Sequence, residues 1–112
     1  MQLILLALLL IAGCGSDRIK VVGIVDGDTI KIVQNKKEHK VRLSEIDCPE
    51  RHQPFHQKAK DFTASLTFGK NIKIVSGGFD RYHRILAKVE LPDGRILNEE
   101  LVRAGLAWQY KQ

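Results

Sequence analysis

The sequence predicts a β-rich domain: a five-stranded barrel with one helix between its third and fourth strands and a short second helix near the end. Three observations carry this expectation. Short runs rich in β-branched residues alternate with polar ones at a period of two, and turn residues separate them. A single stretch, 54 to 67, changes to a helical period. Cysteine is scarce, Cys14 and Cys48 being the whole supply, so packing rather than cross-linking must hold the domain.

Ile19 to Val25 reads as the first strand and Thr29 to Val33 as the second, with Ile30 and Ile32 set against Lys31. Glu38 to Leu43 is the third, where Val41 and Leu43 share one face and Lys40 and Arg42 the other. Asn35-Lys36-Lys37 supplies a hairpin turn between the last two, making an antiparallel meander. Phe55, Ala59, Phe62 and Leu66 then recur on one helical face, with Pro54 suited to the first helical position and Gly69 to the C-terminal cap.

Asn71 to Val75 returns to strand character, and Ser76-Gly77-Gly78 is expected to break it. Ile85 to Leu91 is the fifth strand, ending at Pro92-Asp93-Gly94. Asn98 is the expected N-cap of the last helix, with Glu99 and Glu100 in its first turn, Arg103 in its last and Gly105 beyond. Leu97 and Val102 would staple its start. Five strands with a helix between the third and fourth follow the order of an OB-type barrel, a fold that often offers one face and its loops to nucleic acid.

The first residues stand apart. Leu3 to Ile11 is an almost unbroken aliphatic run, too short for a bilayer span and placed as an export signal. Ile11-Ala12-Gly13-Cys14 resembles the lipobox of bacterial lipoproteins, in which cleavage precedes a lipid-bearing cysteine. The expectation is therefore a signal over 1–13, a lipid-anchored tether over 14–18 beginning at Cys14, and one domain over 19–112, in an extracytoplasmic and membrane-anchored or secreted protein. Removing 1–13 from 112 residues leaves 99, enough for one small domain. All of the +5 formal charge lies in that part, which suits nucleic acid or anionic headgroups.

Chemistry-bearing residues come in three clusters: Asp26-Gly27-Asp28-Thr29, Arg42-Leu43-Ser44-Glu45-Ile46-Asp47-Cys48-Pro49-Glu50 and Asp80-Arg81-Tyr82-His83-Arg84. Singly, they read as a turn, a salt-bridged edge and a charged turn. Jointly, they offer two acids suited to a hard metal, one suited to proton transfer and two guanidiniums suited to a phosphate, the makings of a phosphodiester-cleaving site. His52 and His56 stand four apart without an acidic or cysteine partner at matching spacing, and read as surface residues rather than zinc ligands.

These clusters, followed by Leu101-Val102-Arg103-Ala104-Gly105-Leu106-Ala107-Trp108, resemble the staphylococcal-nuclease-like (thermonuclease) family from about Ile19 to Tyr110. The resemblance implies Ca²⁺ held by Asp28, Asp47 and the backbone carbonyl of Cys48. It implies phosphate binding by Arg42 and Arg84, a general base at Glu50 and a nucleotide contact at Tyr82; Tyr110 is a further candidate stacking surface. The implied activity is endonucleolytic hydrolysis of DNA and RNA to 3′-phosphate products; separately, a monomer is expected.

Three departures accompany the resemblance. Cys48 stands where the family commonly has Thr, His83 where it usually has Gly, and family members usually continue into a further helix beyond the position of Gln112. A non-catalytic OB-type nucleic-acid-binding module is the alternative, and a lipoprotein laying its basic face on anionic headgroups a third reading. Two clustered acids that would repel phosphates unless a metal joins them favour the enzyme.

Overall fold

The computed structural model describes residues 17–110. The expected export signal, Cys14 and the expected tether as far as residue 16 lie outside the described residues. The chain runs β1 (Arg18–Asp26), β2 (Thr29–Gln34), β3 (Lys37–Leu43), β4 (Ile46–Asp47), α1 (His56–Thr67), β5 (Asn71–Phe79), β6 (Ile85–Glu90), α2 (Leu97–Arg103) and β7 (Trp108–Gln109). Five strands close a barrel in the order β1-β2-β3-β6-β5, the expected OB-type architecture, and β4 pairs with β7 in a separate small sheet. Only the β3–β6 seam is parallel among the barrel pairings.

Alternation in the sequence becomes the two faces of the barrel wall. Ile30, Ile32, Val41 and Leu43 are fully buried, joined inside by Val21, Ile72, Ala87 and Val89. The β2–β3 hairpin turns on Asn35 and Lys36, both at positive φ, a geometry whose twist matches the flanking strands. Lys37 is already in β3, opposite Gln34.

Three local expectations are corrected. Pro54 is not the first helical residue: α1 starts at His56, and Phe55 precedes it at φ 69, leaving the Phe55 ring exposed while Thr63 and Thr67 join Ala59 in the buried face. β5 does not stop at Val75, because β6 continues to offer partners; Gly77 pairs with Ala87 and Gly78 with Leu86 after a register shift, so the glycines bend the strand without ending it. Asn98 is not an N-cap, since the helix begins one residue earlier at Leu97.

The Asn98 side chain instead crosses the core. Its Oδ1 accepts the Val89 N–H at 3.1 Å while its Nδ2 donates to Ser44 O at 3.0 Å and Ala87 O at 3.3 Å. One amide thus pins α2 to β6 and to the turn after β3. The expected Leu97–Val102 staple falls with that cap, because Leu97 is itself the first helical residue; Glu99 and Glu100 do lie in the first turn, Arg103 in the last and Gly105 at φ 76 after it.

Candidate active site

Strand pairing brings the first two clusters together. Arg42 lies opposite Thr29 in the β2–β3 register, and Leu43 N–H donates to Asp28 O at 2.8 Å. The Gly27-Asp28 turn before β2 therefore sits beside the end of β3. Gly27 is required there by proximity: a Cβ would lie 2.8 Å from Ala59 Cβ and 3.0 Å from Cys48 Sγ. Thr63 Oγ1 donates to Gly27 O at 2.6 Å, seating the turn on α1.

The chain then folds back after β3 through Ser44 and Glu45, the latter at φ 64. Arg42 spans that bend, its Nη1 donating to Leu43 O at 2.6 Å and Ile46 O at 2.9 Å, its Nη2 to Asp47 Oδ1 at 2.5 Å and lying 3.5 Å from Asp28 Oδ2. A guanidinium suits this task because its donors are fixed in one planar fork. Asp28 is held further by the Cys48 N–H at 3.0 Å and by Thr29 Oγ1 at 3.3 Å. Both aspartates thus meet at the Arg42 guanidinium, with Asp47 the more open to solvent.

Cys48 is buried, and its thiol is pushed up to about 12 by that burial first and by the neighbouring Asp28 carboxylate second. It remains a protonated apolar filler, so any metal contact at this residue would come from the main chain rather than from sulfur. Glu50 is exposed, but its backbone is fixed: Glu50 N–H donates to Gln53 Oε1 at 2.6 Å and Gln53 N–H returns to Glu50 O at 2.8 Å. Asp26, Asp28, Arg42, Asp47 and Glu50 all line one cavity of about 350 Å³.

Its donor chemistry fits a hard divalent cation, since the acids supply oxygen ligands only. Among the described residues no group of three or more His, Cys, Asp or Glu side chains is placed to hold a metal ion. Asp28 and Asp47 would need a main-chain carbonyl, waters and a substrate oxygen to complete a shell, as such ions tolerate.

The third cluster lies alongside rather than inside. Leu86 is the residue opposite Arg42 on β6, and Arg84 stands two residues earlier. Arg84, Tyr82 and Lys40 line a neighbouring open depression. Asp80 organises it, accepting the Tyr82 and Arg84 N–H groups on Oδ1 at 2.9 Å each and Arg84 Nε on Oδ2 at 2.7 Å. Arg84 also lies 5.3 Å from the centre of the exposed Tyr82 ring. Burial alone would raise the Asp80 carboxyl, but the two amides and the Arg84 guanidinium outweigh it and hold the group below the usual carboxylate range. His83 closes the turn at φ 64, the positive value expected where glycine is the easier residue.

Tyr110 takes a third place, beyond β7, with its N–H donating to Glu45 O at 3.0 Å. It lines neither cavity, whereas Trp108 lies opposite Asp47 in the β4–β7 register. Two further residues of the site stand out only in the fold. His56 is not a surface residue: its side chain is 12% exposed, with Nδ1 3.0 Å from Pro49 O and Nε2 3.8 Å from Asp26 Oδ1. Gln53, the partner of Glu50, carries no pattern that marks it out.

The molecule is thus an OB-type barrel that gathers acids and an arginine at the end of its meander, with a second arginine stacked on an aromatic ring on the adjoining seam. Comparison with known proteins agrees and is more particular. The family model described as staphylococcal nuclease homologue matches residues 40–112, and the chain belongs to that family.

It is 40% identical over 99 residues to an Escherichia coli protein described as an uncharacterized endonuclease, covering 88% of this chain and 65% of that one. A Haemophilus influenzae protein of the same description is 41% identical, over 97% of this chain and 62% of its own length. A Shigella flexneri protein named micrococcal nuclease is 37% identical, over 82% of this chain and 58% of its own length. The chain thus spans somewhat less than two thirds of the length of these relatives.

Proposed function

We propose that this protein is a Ca²⁺-dependent endonuclease that hydrolyses phosphodiester bonds of DNA and RNA and leaves 3′-phosphate products. The observation that carries the proposal is the convergence of Asp28, Arg42, Asp47 and Glu50 on one cavity, with Arg84 and Tyr82 on its flank. Relatives named as endonucleases and as a micrococcal nuclease support it.

In this reading Asp28 and Asp47, with the Cys48 carbonyl, would hold the Ca²⁺. When bound, the ion would supply charge that offsets the negative phosphoryl oxygens in a cavity otherwise dominated by acids. Glu50 accepts a proton from the attacking water while that water's oxygen bonds to phosphorus. The P–O5′ bond breaks, the 5′-oxygen takes up a proton, and the phosphate stays on the 3′ side. Arg42 stays anchored to Asp47 and presents its charge to one side of the phosphoryl group, and Arg84 approaches from the β6 side. Tyr82 stacks on a base next to the cleaved bond, with Tyr110 a second aromatic available to the strand.

The test is hydrolysis of single-stranded DNA with and without millimolar Ca²⁺. Binding without cleavage by a folded protein would turn the reading toward a nucleic-acid-binding module. Export and lipid anchoring through Cys14 form a separate part of the proposal, tested by membrane fractionation of the Cys14→Ser variant. Wild-type protein in the membrane and the variant in the soluble extracytoplasmic fraction is the expected result; identical fractionation of the two counts against the anchor.

A further inference from the structure

We infer that His56 is a positioning residue that holds the Glu50 segment against the Asp26–Asp28 turn. The inference rests on the proposed role of Glu50. Pro49 O can only accept a hydrogen bond, so the ring nitrogen 3.0 Å from it, Nδ1, carries the proton. Nε2 on the opposite side of the same ring then faces Asp26 Oδ1 at 3.8 Å. One imidazole therefore bonds to the residue immediately before Glu50 and, when both ring nitrogens carry protons, also attracts an acid in the turn that carries Asp28.

The geometry around the ring is built for this. Phe55 adopts φ 69 just ahead of α1, and that reversal delivers His56, the first helical residue, back under the loop. His56 N–H donates to Gln53 O at 3.3 Å, while Gln53 brackets Glu50 by its amide oxygen and its own N–H. Glu50 is thus an exposed carboxylate on a closed set of contacts whose inner support is a ring only 12% exposed. Without that support the segment keeps the Cys48–Asp28 bond two residues earlier, and Glu50 itself only the Gln53 contacts.

Two variants and two readouts test the assignment. His56→Ala removes both contacts, and His56→Asn keeps a donor within reach of Pro49 O. His56→Ala is expected to lower kcat about tenfold with KM nearly unchanged, because misplacing a reacting group costs rate more than affinity. His56→Asn is expected to recover much of that loss. Hydrogen exchange at the Glu50 and Gln53 amides should rise in the alanine variant and return toward the wild-type rate in the asparagine variant. In a Glu50→Gln background, His56→Ala should cost nothing further. Unchanged exchange at both amides would overturn the inference, as would a full tenfold loss persisting in that background. Full turnover by Glu50→Gln would instead remove Glu50 as the base, and the exchange rates would still decide whether His56 holds its segment.

Discussion

Asp28 Oδ2 accepts the backbone N–H of Cys48 at 3.0 Å, joining the turn before β2 to the loop after β4. This bond sets where the two acid-bearing segments stand relative to each other. Its geometry also depends on a side chain that is missing: Gly27, between Ala59 and Cys48.

Gly27→Ala should therefore disturb fold and site together. A Cβ 2.8 Å from Ala59 Cβ forces the turn away from α1, and overpacking of this kind costs roughly 1–3 kcal/mol. Gly78→Ala, where an added Cβ meets nothing within 4 Å, should change stability by much less. Urea midpoints of the two variants decide the comparison.

Asn98→Ala should be among the costly polar substitutions in this chain. It leaves the buried Val89 N–H without its partner and removes both donors to the carbonyls of Ser44 and Ala87, a loss of about 2–4 kcal/mol for buried, unsatisfied groups. Asn98→Asp keeps the acceptor but not the donors and should be intermediate or worse. Equal urea midpoints for wild type and alanine variant would contradict the bridging role.

The contrast between Asn98 and Ile30 explains what the sequence can reveal. Ile30 and Ile32 declare their face by alternation, so the barrel strands are readable from local pattern. Asn98 looks like a cap because caps are local, yet its partners lie on β6 and after β3. β4 and β7 are two residues each, too short for any period, and exist because Ile46 and Asp47 find Gln109 and Trp108 far along the chain. His56 is the same case within the site, its role set by Pro49 and Asp26 rather than by its own neighbours in sequence. The charged clusters were legible as types and spacing, while the anchoring of Arg42 on Leu43, Ile46 and Asp47 appears only once the bend at Glu45 is seen.

Acid should loosen the Tyr82–Arg84 turn before it unfolds the barrel. Asp80 has a folded-state value below its unfolded one, so its contribution is present above the ordinary carboxylate value of about 3.9 and is lost as pH falls through the lower folded value. Asp80→Asn should remove this dependence. The Arg84 Nε–H resonance, followed by NMR from neutral pH downward, reports it directly, and the same acid response in both proteins would contradict the assignment.

His83→Gly should stabilise the same turn. A non-glycine residue at φ 64 carries a left-handed penalty of about 1 kcal/mol, which glycine avoids at the expense of a more flexible unfolded chain. A small rise in the thermal midpoint is expected; a fall would mean that the His83 ring makes a compensating contact.

The central claim is that the acids, Arg42 and Glu50 around one cavity act together on a phosphodiester bond. The most direct measurement is single-stranded DNA cleavage by the purified, folded chain as Ca²⁺ is added and then chelated, run beside Glu50→Gln. Turnover is expected to appear with Ca²⁺, disappear with chelation, yield 3′-phosphate ends and fall by about 10²-fold or more in the variant. Absence of cleavage by folded wild-type protein at millimolar Ca²⁺, or equal turnover by Glu50→Gln, would contradict it.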